Sequence, residues 1–190
     1  MKKLISTLGL LCIVISAQSL AETGYTLDPN LSNITFATIK KQFVVEPASI
    51  KPLSGGLTEE GQFAILLDVK SVSTSVAIRD QRLNELYFES MTFPEVKISG
   101  KVEPSMLSGD PKRTTIAAEV TLHGVTKTID FPVLIVPSEE LVMVSSASTI
   151  IVNGADFGIS TDNLNKLSAT VGGLAISDKI PLSFNLLFDK

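Results

Sequence analysis

Apolar residues recur at every second position along this chain, and that period leaves few folds open. Phe63, Ile65, Leu67 and Val69 form one such row; Ile116, Ala118, Val120 and Leu122 form a second. Ile129, Phe131 and Val133 make a third, and Ile180, Leu182, Phe184, Leu186 and Phe188 the cleanest of all. Side chains point to alternate faces of a strand, so each row is a strand with one buried face. Asp68, Lys70, Glu119 and Asp130 fall between the rows and mark the outer faces. An entry segment at 22–29 alternates Tyr25 and Leu27, 33–39 reads as a strand (Ile34 and Phe36), and 43–50 as a weaker one, where Pro47 interrupts. The run 141–152 is apolar or hydroxylic on both faces and has no readable orientation. Turn residues punctuate these runs at Glu59-Glu60-Gly61, Gly109-Asp110-Pro111, His123-Gly124, Pro137 to Glu140 and Asn153-Gly154. Gly55-Gly56 reads as a turn, or as a bulge on the way to Leu57, and Gly172-Gly173 as a turn. About eight evenly spaced strands predict an all-β antiparallel barrel or sandwich. The full apolar face of the last strand favours the barrel, because pairing with the first strand leaves no free edge.

One segment breaks the period. From Arg79 the chain carries Leu83 and Leu86 three apart, with charged residues on the other face, as a helix would. Tyr87, Phe88 and Phe93 follow at once, in a chain of two Tyr, nine Phe and no Trp. Pro94 ends any helix. Val96, Ile98 and Val102 then resume the strand. This predicts one short helix packed at an end of the barrel, capped by Thr74 or Ser75, with aromatics at its mouth. A shorter helical piece of one or two turns reads at 161–167.

The first residues have a separate reading. Met1-Lys2-Lys3, the uncharged apolar run 4–16, and Ser19-Leu20-Ala21 have the form of a secretory signal peptide cleaved after Ala21. The run is too short to span a bilayer. The division is therefore 1–21 signal peptide and 22–190 one domain, expected in the periplasm or secreted. The only Cys, Cys12, leaves with the signal, so stability falls to the core. The full chain carries a net charge of −4. Without Lys2 and Lys3, 14 Lys and Arg face 20 Asp and Glu, a net of −6. No basic patch appears, which argues against nucleic acid and against stable association with anionic membranes.

No catalytic set can be assembled. The single His, His123, lies in a turn, and there is no Gly-x-Ser-x-Gly elbow. A zinc site needs three or four ligands of a kind this chain lacks. No cofactor is implied. An eight-stranded barrel either fills its interior or holds one small guest, and inward Phe, Ile, Leu and Val suit an apolar one. Alternation and aromatic placement nominate Phe36, Phe63, Ile65, Leu67, Phe88, Phe93, Val96, Ile98, Ile116, Val120, Phe131, Phe157, Leu182 and Phe184 as lining. Arg79 and His123 are candidates for polar contacts at the rim.

Tyr25-Thr-Leu-Asp28 with Ile34-Thr-Phe36, then Ser71-Val-Ser-Thr74, Arg79-Asp80, Leu83, Phe88 and Phe93-Pro94, resemble the YceI-like family of periplasmic proteins. So do Leu122-His-Gly-Val-Thr-Lys127 and Asp156-Phe157-Gly158. These matches are in order and span nearly all of 22–190. The resemblance implies a lipocalin-like barrel whose tunnel binds a long isoprenoid chain, a polyprenyl lipid or an isoprenoid quinone, for transport or storage and without enzymatic activity. Two positions depart from the family pattern: Arg82, where a His is frequent, and Gly154, where an Arg is. The rival expectation is a solid-cored barrel that serves as a protein partner in a membrane redox or stress system. A monomer and a homodimer are equally compatible with the sequence.

Overall fold

The computed structural model describes residues 24–190, so the stretch 1–21, expected from sequence to be a signal peptide, lies outside the described residues. The alternating rows become strands, except that Val69 at the end of the first row falls in a 3₁₀ turn. Eleven segments form: β1 (Gly24–Leu27), β2 (Asn33–Lys40), β3 (Val44–Ile50), β4 (Pro52–Thr58), β5 (Gln62–Asp68), β6 (Glu95–Lys101), β7 (Lys112–Leu122), β8 (Val125–Pro137), β9 (Leu141–Ser146), β10 (Ile150–Asn153) and β11 (Lys179–Asp189). They join into eight staves, because β1 runs on into β2, β3 into β4 and β9 into β10. One edge of β11 pairs with both β1 and β2. Its other edge pairs with both β9 and β10. Each remaining stave pairs antiparallel with its chain neighbours, so β11 closes the ring. The fold is a closed eight-stranded antiparallel barrel.

Register turns the period-two pattern into a common interior. Directly paired residues share a face. Phe36 stands opposite Leu182, Ile65 opposite Ile98, Ile98 opposite Val120, and Ile116 opposite Phe131. Each apolar row therefore meets another, and all of them face inward.

Gly55-Gly56 is not a turn. Both residues lie within β4, paired with Ile65 and Ala64. A Cβ on Gly55 would come within 3.1 Å of both the Ala64 carbonyl oxygen and the Leu27 Cβ. The glycine is there for close approach of neighbouring staves, a role that sequence cannot separate from a turn. The irregularity of this stave lies earlier, between Pro52 and Ser54.

Two helices cover one end of the barrel, the second being the helical piece read at 161–167 and extending to Ala169. The first, α1 (Ala77–Arg82), continues into a π turn over Leu83–Tyr87. The second, α2 (Thr161–Ala169), is the longer. Ser160 caps it, its Oγ accepting from the Asn163 amide at 3.2 Å. The start of α1 differs from expectation. Val76 takes the cap position and supplies no side-chain bond. Asp80 reaches back instead, Oδ1 accepting from the Thr74 amide at 2.7 Å and the Thr74 hydroxyl at 2.5 Å. No helix among the described residues is long and apolar enough to cross a membrane.

Replacing Asp80 by Ala removes both bonds; the Thr74 amide loses its acceptor, and the hydroxyl keeps only a long bond to the Val76 carbonyl at 3.4 Å. The expected loss is about 1–2 kcal/mol. A melting midpoint lowered by several degrees in circular dichroism would show it, and an unchanged midpoint would refute this account of the helix start.

Candidate functional site

The interior is not filled. An apolar cavity of about 190 Å³ runs inside the barrel. Its 28 lining residues are all Phe, Ile, Leu, Val or Ala. A wall without one polar side chain offers water nothing to bond, so the cavity favours apolar matter over solvent. Phe131 and Phe184 meet edge-on across it, ring centres 6.0 Å apart.

Twelve of the fourteen residues nominated from alternation stand on this wall: Phe36, Phe63, Ile65, Leu67, Phe88, Val96, Ile98, Ile116, Val120, Phe131, Leu182 and Phe184. Phe93 and Phe157 do not. Phe93 leaves the helix end pointing at the β7–β8 turn and stacks on His123, ring centres 3.9 Å apart. Phe157 is buried, 2% exposed, in a 3₁₀ turn beside α2 rather than in a stave. Both were chosen for aromaticity, and neither sits in a period-two row. Sixteen wall residues were not nominated. Ala118, Leu122, Ile129, Val133, Ile180, Leu186 and Phe188 extend rows already legible in the sequence. Val144 and Val152 come from the two-faced run, which register alone orients. Val72 and Leu107 come from connectors, where no period exists to read.

The two rim candidates divide. Arg79 lies half-buried at the helix end, Nη2 at 2.7 Å from the Glu46 carboxylate. His123 belongs to a clamp away from the cavity. Its Nε2 donates to Glu89 Oε2 at 2.9 Å, and Asn163 Nδ2 donates to the same oxygen at 2.9 Å. Asn163 Nδ2 also reaches the Tyr87 carbonyl at 3.1 Å, and Ser160 Oγ donates to Asn163 Oδ1 at 2.8 Å. The clamp ties the α1 end, the β7–β8 turn and α2 together. Glu89 and His123 both hold left-handed backbone, φ 49° and 51°. Such backbone is sparsely populated without glycine and persists where surrounding contacts fix it. The hydrogen bond from Asn163, then that from His123, hold the Glu89 carboxyl below its ordinary range. Tyr87 lies under this clamp. Burial, then the Asp178 charge, push its hydroxyl up to about 12. Among the described residues, no three His, Cys, Asp or Glu come together as metal ligands do.

The YceI-like domain profile matches residues 25–188, almost the whole described barrel. The chain belongs to the YceI-like family. Among solved structures it is similar to a polyisoprenoid-binding domain from Saccharophagus degradans implicated in plant cell wall breakdown. The two share 25% identity over 88% of this chain and 99% of that one, with a TM-score of 0.83. It is also similar in fold to BcnA of Burkholderia cenocepacia, at 12% identity over 85% of this chain and 98% of that one, TM-score 0.59. No curated protein matches the chain. Within this family frame Gly154 has a local reason. A Cβ there would lie 2.2 Å from the Tyr87 hydroxyl, so the Tyr87 ring occupies the space a side chain would need.

Two pH effects follow. Tyr87 has a folded pKa above its unfolded one, so its stabilising share is whole below about pH 10. It is lost as pH rises toward 12. Tyr87→Phe should flatten the fall in stability above pH 10 measured by denaturant titration. Glu89 has a folded pKa below its unfolded one, so its share is whole above the usual carboxylate range and lost in acid. Glu89→Gln should leave stability less sensitive to pH between about 5 and 3. Wild-type slopes retained in either variant would overturn the assignment.

Proposed function

We propose that this protein is a carrier that shelters one long isoprenoid-like lipid, a polyprenyl lipid or an isoprenoid quinone, in the barrel. The observation that carries the reading is the wholly apolar cavity. The likeness to a solved polyisoprenoid-binding domain supports it. So does the energetics: a prenyl chain leaving water gains about 0.8 kcal/mol per buried CH₂. Such binding needs no nucleophile and no metal. The solid-cored alternative requires side chains where the cavity lies. The signal-like stretch Met1–Ala21 supports a periplasmic or secreted place, and N-terminal sequencing of the exported protein should begin at Glu22.

The test is native mass spectrometry of protein purified from its own host, followed by solvent extraction. A co-purifying lipid of isoprenoid mass is expected. No lipid, together with no uptake of an added polyprenol, would overturn the carrier reading. Ala118, 2% exposed on the cavity wall, gives a second handle. Ala118→Leu should lower uptake several-fold by filling the space, at about 1–3 kcal/mol of stability. Unchanged uptake in a folded Ala118→Leu protein would move the guest out of this cavity.

A further inference from the structure

The inward face of β2 changes character along its length. Ile34 and Phe36 line the apolar cavity. Thr38 and Lys40, the next two residues on the same face, line a second cavity of about 150 Å³ at the helix-covered end. Same-face neighbours on a strand are about 7 Å apart, so Thr38 on the second wall stands one such step beyond Phe36 on the first. This second wall is unlike the first. Arg79 and Arg82 line it from α1, beside Leu83 and the far end of α2 at Leu167 and Thr170. Three cations thus converge on it: Lys40, Arg79 and Arg82. Glu46 pairs with two of them, Lys40 at 2.5 Å and Arg79 at 2.7 Å. Arg82 has no ion pair among the described residues. Three positive charges against one negative leave the site at +2. In addition, Thr38 Oγ1 is buried with no hydrogen-bond partner, and a buried hydroxyl left unpaired is costly.

We propose that this second cavity is a headgroup site for the phosphate of a polyprenyl phosphate whose chain occupies the apolar cavity. The proposal rests on the carrier reading and narrows its guest. A phosphate monoester carries about −1.5 to −2 at neutral pH, which matches the excess at the site. Arginine forks suit phosphate oxygens, and Thr38 supplies a hydroxyl donor where the apolar wall ends. A neutral quinone ring or an alcohol leaves the charge excess and Arg82 unanswered.

The experiment compares two probes of equal chain length, a polyprenyl monophosphate and the corresponding polyprenol, titrated into the full-length mature protein and read by native mass spectrometry. The phosphate should bind about tenfold tighter or more, as a charge-assisted hydrogen bond warrants. The preference should shrink as ionic strength rises. Arg82→Gln should bring the phosphate-to-alcohol ratio toward one, and Arg82→Lys should restore part of it. Circular dichroism melts confirm that each variant is folded. Because Arg82 has no ion-pair partner to strand, its loss spares the Glu46 network, and Lys40→Gln provides a second variant of the same site. Equal binding of both probes overturns the phosphate site and leaves the carrier intact. Binding of neither probe overturns the carrier reading, and the phosphate site with it. A preference that survives Arg82→Gln and Lys40→Gln together also overturns the site.

Discussion

A barrel wall has a single inward face, and here every stave around the main cavity presents an apolar one. The rest of the structure depends on this constraint. The fold must close, because any open edge would expose the interior rows to water and the unpaired backbone to other chains. Closure makes eight staves enclose a volume that inward Phe, Ile, Leu and Val do not fill. Polar work is thereby pushed to the ends. The Glu89, His123 and Asn163 clamp and the Lys40, Arg79, Glu46 and Arg82 cluster both lie at the helix-covered end. One holds the lid elements in place, and the other gives the end its charge.

The division between wall and end explains what the sequence revealed. Wall residues obey a strict period, so Ile65, Ile98, Val120 and Leu182 could be placed before any coordinates. Their pairing across staves follows from the same alternation. The closed barrel was legible for the same reason. End residues obey no period. Phe93 and Phe157 look like cavity aromatics by composition, yet one stacks on a turn histidine and the other is buried in the 3₁₀ turn that precedes α2. The second helix was half visible. Its capping Ser160 and its Leu164 and Leu167 spacing are present, but a polar nine-residue helix announces itself weakly. Lys40 and Arg82 were not legible as neighbours, since 42 positions separate them and only the strand-to-helix packing brings them to one cavity.

Glycine shows the same limit from another side. Gly55 serves close packing between staves, and Gly154 yields its space to the Tyr87 ring. Neither has the positive φ that makes Gly61 or Gly124 a turn residue. A glycine in sequence says that a side chain is absent; only the neighbours say whether backbone freedom or room was needed.

The last stave has a consequence for how the molecule comes into being. β11 hydrogen-bonds with β1, β2, β9 and β10, so residues 179–189 touch both the start and the late part of the chain. No N-terminal fragment can seal the barrel. Until residues 179–189 arrive, the inner rows stay open and the contacts that reward folding are the most distant in sequence. Assembly is thus gated by the arrival of β11, and the half-built barrel is a sheet with two bare edges that needs protection from its neighbours.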